Sequence, residues 1–184
     1  MTERIGIILA GGGEADWPWR PGLSLLDQAE RIVQRAGVDT SLICGAHDRP
    51  NAVADRGDGI GPLAALHQAL DHPSLSLDAT LIIIPVDMPA LNPRALTRLA
   101  EIAEYDGRGA LFDLGPLPLA LVLTAKLRAT LDEVAAGQGS LNALARRLEL
   151  PIMASLPDDG LDNVGSRQEL TALRQRVEAA RTGP

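Results

Sequence analysis

Three short segments carry residues suited to holding an anionic or polar ligand. Leu9-Ala10-Gly11-Gly12-Gly13 closes an apolar run that begins at Ile5. Without a Cβ in the way, glycine N–H groups can approach a phosphate or a base closely, although the same triplet also suits a plain tight turn. The spacing fails the dinucleotide fingerprint, because Asp16 stands where a third glycine is needed. A P-loop is excluded as well, since the only lysine, Lys126, follows Ala125 and no glycine. In the second segment, Asp55 to Ala64, Gly59, Gly61 and Pro62 make a rigid turn into a helix N-terminus. Such a turn favours an anionic or polar ligand, and a solvated acidic loop is the alternative. The third is Ile84-Pro85-Val86-Asp87-Met88-Pro89. A carboxylate placed straight after a strand suits Mg²⁺, or else caps the next segment.

The elements that must position these segments alternate in type. Strands are expected at Ile5–Ala10, Thr40–Cys44, Leu81–Ile84, Ala110–Leu114, Leu119–Leu123 and Ile152–Ala154. Leu81–Ile84 is apolar at consecutive positions, as a central strand covered on both faces must be. Helices are expected at Leu23–Ala36, Pro62–Leu70, Pro93–Tyr105, Lys126–Ala136, Ser140–Leu148 and Ser166–Arg181. Gly37 stops the first of these and Asn92 caps the third. The alternation implies a mostly parallel sheet with helices on both faces. Ligands in such sheets bind beyond the carboxyl ends of the strands, so chemistry is expected just after Ala10, Ile84 and the 119–123 strand.

Composition narrows the class. A chain of 184 residues suits one domain over residues 1–184. Aromatics are 2%, so Leu, Ile, Val and Ala must build the core. A net charge of −7 with no basic cluster argues against nucleic acid or an anionic membrane as partner. The single cysteine, Cys44, excludes an internal disulfide and reads as a buried thiol. His47, His67 and His72 have no metal-ligand spacing. No leader and no apolar stretch of about 18 residues is evident, so the expected location is the cytoplasm.

Taken together, the segments resemble the molybdenum cofactor guanylyltransferases, within the wider nucleotidyltransferases. The likeness rests on Leu9 to Gly12, on Asp55 with Gly61-Pro62-Leu63-Ala64, and on Pro85-Val86-Asp87-Met88-Pro89. Pro118 to Leu121 and Asp162-Asn163 to Leu170 extend it over nearly the whole chain. The resemblance implies a Rossmann-like three-layer α/β/α fold and transfer of GMP from GTP to a molybdopterin-type phosphate, releasing pyrophosphate. By the same resemblance Leu9, Ala10, Gly11, Gly12 and Gly13 hold base and ribose, and Asp55, Gly61, Pro62 and Leu63 hold the nucleoside. Asp87 ligates Mg²⁺, and Pro118 and Asn163 face the acceptor.

The chain departs from the family at the phosphate loop. Where relatives carry an Arg and a Lys, it reads Glu14-Ala15-Asp16-Trp17-Pro18-Trp19-Arg20, shorter and with two acids. Arg20 is the cation left to take a catalytic place there. Trp17 and Trp19 either stack a ligand or partner, or seal the shortened loop. Gly165, Ser166-Arg167 and Leu117 are further departures. Two functions follow: a divergent guanylyltransferase, or a non-catalytic relative that binds a nucleotide or a partner. For the first, a protein of the same cofactor pathway could be a partner that supplies the missing cations in trans.

Overall fold

The structure, a computed structural model, describes residues 2–45, 48–53 and 61–182. One seven-stranded sheet organises it, in the order β5-β4-β1-β6-β8-β7-β9. The strands are β1 (Arg4–Leu9), β4 (Thr40–Cys44), β5 (Ala52–Val53), β6 (Thr80–Pro85), β7 (Gly109–Phe112), β8 (Leu119–Val122) and β9 (Ile152–Met153). A separate two-stranded ribbon joins β2 (Pro18–Arg20) to β3 (Leu23–Ser24). The helices are α1 (Leu25–Arg35), α2 (Pro62–Ala69), α3 (Pro93–Asp106), α4 (Ala125–Ala136), α5 (Leu141–Arg147) and α6 (Arg167–Thr182).

Side chains alternate across a strand, so an all-apolar strand must be covered twice. In β1 and β6, Ile5, Ile7, Leu81 and Ile83 face one layer, built by α2, α4 and α5. Ile8, Ile82 and Ile84 face the other, against α1, α3 and α6. Each of these seven residues is at most 1% exposed. Fully burying such a side chain contributes about 1.5–3 kcal/mol, so the two central strands anchor the molecule.

Helix ends follow local chemistry. The first helix starts at Leu25, two residues later than its periodicity suggests, because Ser24 and Asp27 form a reciprocal capping box. Leu23 and Ser24 are drawn instead into the ribbon with Pro18–Arg20. Asn92 caps α3 through the amide of Arg94, and Gly107 ends it in the left-handed region at φ 77°.

The sheet is mostly parallel, and β8 alone runs against its neighbours. This corrects one expectation. The carboxyl end of the 119–123 strand points to the edge opposite Ala10 and Ile84, so ligand chemistry there falls to the segment before Leu119. The buried Cys44 thiol donates to the Ala65 carbonyl at 3.7 Å. His47, Asp55 and Gly59 lie outside the described residues.

Candidate active site

Parallel register brings the first and third segments together. Leu9 pairs with Pro85, and the amide of Val86 donates to the Leu9 carbonyl at 3.0 Å. The glycine loop and the Pro85–Pro89 segment therefore leave the sheet side by side. The chain before α6 returns to them, where the Val164 amide donates to the Asp87 carbonyl at 2.9 Å. A cleft of about 390 Å³ opens between these strands of chain.

Leu9, Gly11, Gly12, Pro62, Asp87 and Asn163 line that cleft. Ala10 is buried behind it, and Gly13 lies next to it in sequence but not on its wall. Gly61 and Leu63 face a neighbouring hollow on the other side of Pro62. Pro118 follows Leu117, which lines the cleft from the amino end of β8. Arg20 is not brought in. Its guanidinium lies 5.8 Å from the centroid of Trp19 and lines a different cleft.

Asp87 occupies the floor, and its Oδ1 is buried without a hydrogen-bond partner among the described residues. Burial pushes its carboxyl above the usual carboxylate range, with a smaller contribution from the charge of Glu14. Its own backbone amide pulls in the opposite direction. An orphaned buried carboxylate oxygen fits a hard divalent cation, whose ligands are oxygens.

Glu14 and Leu117 belong to the site although residue type alone did not assign them. A Cβ on Gly12 would meet the Glu14 carboxylate at 2.0 Å, so that acid lies directly over the glycine loop. Position gave the only available signal for Glu14, two residues after Gly12 in a loop that must fold back. For Leu117 the signal was the short link from β7 to β8.

The tryptophans seal and tether the loop that follows the glycines. Trp19 is 2% exposed in the layer of α1 and α3. Trp17 is half-buried, with the Arg167 guanidinium 5.3 Å from its centroid. The loop carrying Trp17 and the start of α6 thus meet through a cation–π contact.

A mostly parallel sheet with an aspartate and a glycine loop at its carboxyl edge is a Rossmann-like fold, and the family model that matches the chain places it among the nucleotidyltransferases. The MobA-like NTP transferase domain matches residues 6–152, and the chain belongs to that family. It is 32% identical over 147 residues to a molybdenum cofactor guanylyltransferase of Xanthomonas euvesicatoria pv. vesicatoria (strain 85-10), covering 76% of this chain and 75% of the relative. A 2-C-methyl-D-erythritol 4-phosphate cytidylyltransferase of Francisella tularensis superposes with a TM-score of 0.73 at 9% identity, covering 95% of this chain and 100% of that one. A Mycobacterium tuberculosis H37Rv protein solved as a complex with manganese superposes with a TM-score of 0.64 at 18% identity, covering 95% and 98%. At these identities the two structures establish the fold alone.

Proposed function

We propose that this chain transfers GMP from GTP to a molybdopterin-type phosphate acceptor in a Mg²⁺-dependent reaction. The observation that carries the proposal is the buried, unpartnered Asp87 oxygen on the floor of a glycine-walled cleft. The 32% identity to a molybdenum cofactor guanylyltransferase supports the choice of GTP and acceptor. The manganese complex of the structural neighbour is in keeping with a divalent ion. In the reaction an acceptor phosphate oxygen attacks the α-phosphorus, a new P–O bond forms, and the bond to the β-phosphate bridge breaks to release pyrophosphate. A divalent ion at Asp87, when bound, would neutralise charge on the phosphates.

The remaining tasks fall to the chain. Gly11 and Gly12 admit the nucleotide to the backbone, and Pro62 walls the cleft at the start of α2. Asn163, next to the Val164 amide that bonds the Asp87 carbonyl, lines the same cleft with an amide that could hold the acceptor. Orientation of the two phosphates is the main contribution such a site makes.

One observation favours the second reading, a nucleotide- or partner-binding relative without turnover. The Glu14 carboxylate rests over Gly12, where a phosphate would otherwise approach. Calorimetric titration with GTP, with and without Mg²⁺ and with CTP and ATP as controls, separates the readings. Magnesium-dependent, GTP-selective binding supports the enzyme and calls for a pyrophosphate-release assay. No nucleotide binding at millimolar concentration would remove the stand-alone enzyme.

Two substitutions sharpen the test. Glu14→Gln removes one anion from the cleft and is expected to tighten GTP binding about tenfold, the scale of a charge-assisted contact of about 1.4 kcal/mol. Unchanged affinity would show that the carboxylate swings clear at no cost. Gly12→Ala meets only the far end of a flexible side chain. Folding should change by less than about 0.5 kcal/mol in a thermal melt, because the Gly12 backbone is not in the left-handed region. GTP affinity should nevertheless fall, since the new methyl holds the nucleotide off the loop.

A further inference from the structure

On the other side of the Pro85–Pro89 segment lies a second cleft of about 340 Å³, walled by Pro89 rather than Asp87. Arg20 lines it from β2, and Arg31 and Arg35 line it from α1. The two α1 arginines are four residues apart, so they stand one above the other on the same helix face. None of the three forms an ion pair with a described residue. Among the described residues Arg4, Arg49, Arg98, Arg108, Arg147 and Arg176 find carboxylates while Arg94, Arg128, Arg146, Arg167 and Arg174 do not, so what sets these three apart is that they share one cleft.

Asp158 is the one carboxylate on the cleft wall. Ile32, Val177 and the buried Trp19 give it an apolar floor. The macrodipole of α1 favours a cation in its last turn, which accounts for Arg35 alone. It does not account for Arg20 or Arg31.

We propose that this cleft is a binding site for a small phosphate monoester with an apolar or ring-bearing body. Guanidinium forks match phosphate oxygens in pairs, and Arg20, Arg31 and Arg35 line one cleft here without an ion-pair partner among the described residues. The concave shape and apolar floor suit a small molecule rather than a flat macromolecular surface. The loop over residues 13–22 joins the two clefts, since Glu14 lines the first and Arg20 the second. A ligand held at Arg20 therefore acts on the same loop that covers Gly12.

The test is calorimetric titration of the full chain with phenyl phosphate at low salt, without Mg²⁺, alongside inorganic phosphate. Phenyl phosphate should bind at one site, more tightly than inorganic phosphate because the ring meets the apolar floor. The Arg31→Gln/Arg35→Gln double variant should weaken it by about tenfold or more, and added salt should weaken it too. Both arginines are exposed, so a thermal melt of the variant should match the parent. Asp87→Asn should leave the affinity unchanged, which separates this site from the nucleotide cleft. Equal binding by the double variant, loss of binding in Asp87→Asn, or no binding at millimolar concentration would each overturn the proposal.

Discussion

Asp87→Asn should lower nucleotidyl transfer by about a hundredfold or more while raising the melting temperature at neutral pH. The loss of activity follows from removing the charge that would hold the divalent ion on the cleft floor. The gain in stability follows from the same burial. The folded-state carboxyl is raised above its unfolded value, chiefly by desolvation. The folded protein therefore binds more protons than the unfolded one once pH exceeds the unfolded value of about 3.9. Stability from this group is present at lower pH and is lost as pH rises through the folded pKa. A neutral amide escapes that loss. Melting temperature against pH, with and without Mg²⁺, checks both statements, because a cation that prefers the ionised form should stabilise the parent at the higher pH. A melting temperature that falls in Asp87→Asn would mean the carboxylate supports the fold instead.

Arg98→Ala should destabilise the protein by about 3 kcal/mol, the scale for stranding one member of a buried ion pair. For a domain of this size that is a drop of roughly 6–12 °C in melting temperature. Arg98 reaches both oxygens of Asp159 through one nitrogen, at 2.9 and 3.0 Å. Asp159 is 1% exposed on its side chain, and its only other described donor is the Leu156 amide at 2.8 Å. Without Arg98 that carboxylate stays in the interior with one neutral donor. The reverse change should be milder, because the Arg98 side chain is 38% exposed and can return to water. The damage should also reach the Asp87 cleft. The Asp159 carbonyl accepts from the Asn92 amide at 2.9 Å, which fixes the chain running on to Asn163. A chemical-denaturation comparison of Arg98→Ala with Asp159→Asn measures the asymmetry, and equal losses would contradict it.

Much of this architecture was readable from residue pattern. Leu81–Ile84 reads as a doubly covered strand, and β6 is the middle strand of seven. Pro62 and Asn92-Pro93 mark helix starts, and α2 and α3 begin there. The Pro85–Pro89 segment and the glycine loop converge because two parallel strands in register end side by side. The direction of β8 was not legible in its own residues, since an apolar run carries no polarity. It was legible in the connection. Only residues 113–118 link β7 to β8, too few for the crossover a parallel pair needs. The ribbon of β2 and β3 was hidden because Pro18 opens it, Pro21 lies in its turn, and three residues give too little period to read. The position of Arg20 depends on that ribbon, so residue type suggested a phosphate contact where backbone direction sends the side chain to the other cleft.

The burial of Trp19 and the tethering of Trp17 have a spectroscopic consequence. The chain has two tryptophans and no others, both within one loop that also carries Glu14 and Arg20. Intrinsic emission excited at the red edge of protein absorption therefore originates in that loop alone. Trp19 sits in an apolar layer and should emit at short wavelength, whereas the half-buried Trp17 should be the more quenchable of the two. A change in emission on adding a ligand thus reports a change in the immediate surroundings of Trp17 and Trp19. The loop that joins the two clefts is also the chain's built-in optical probe.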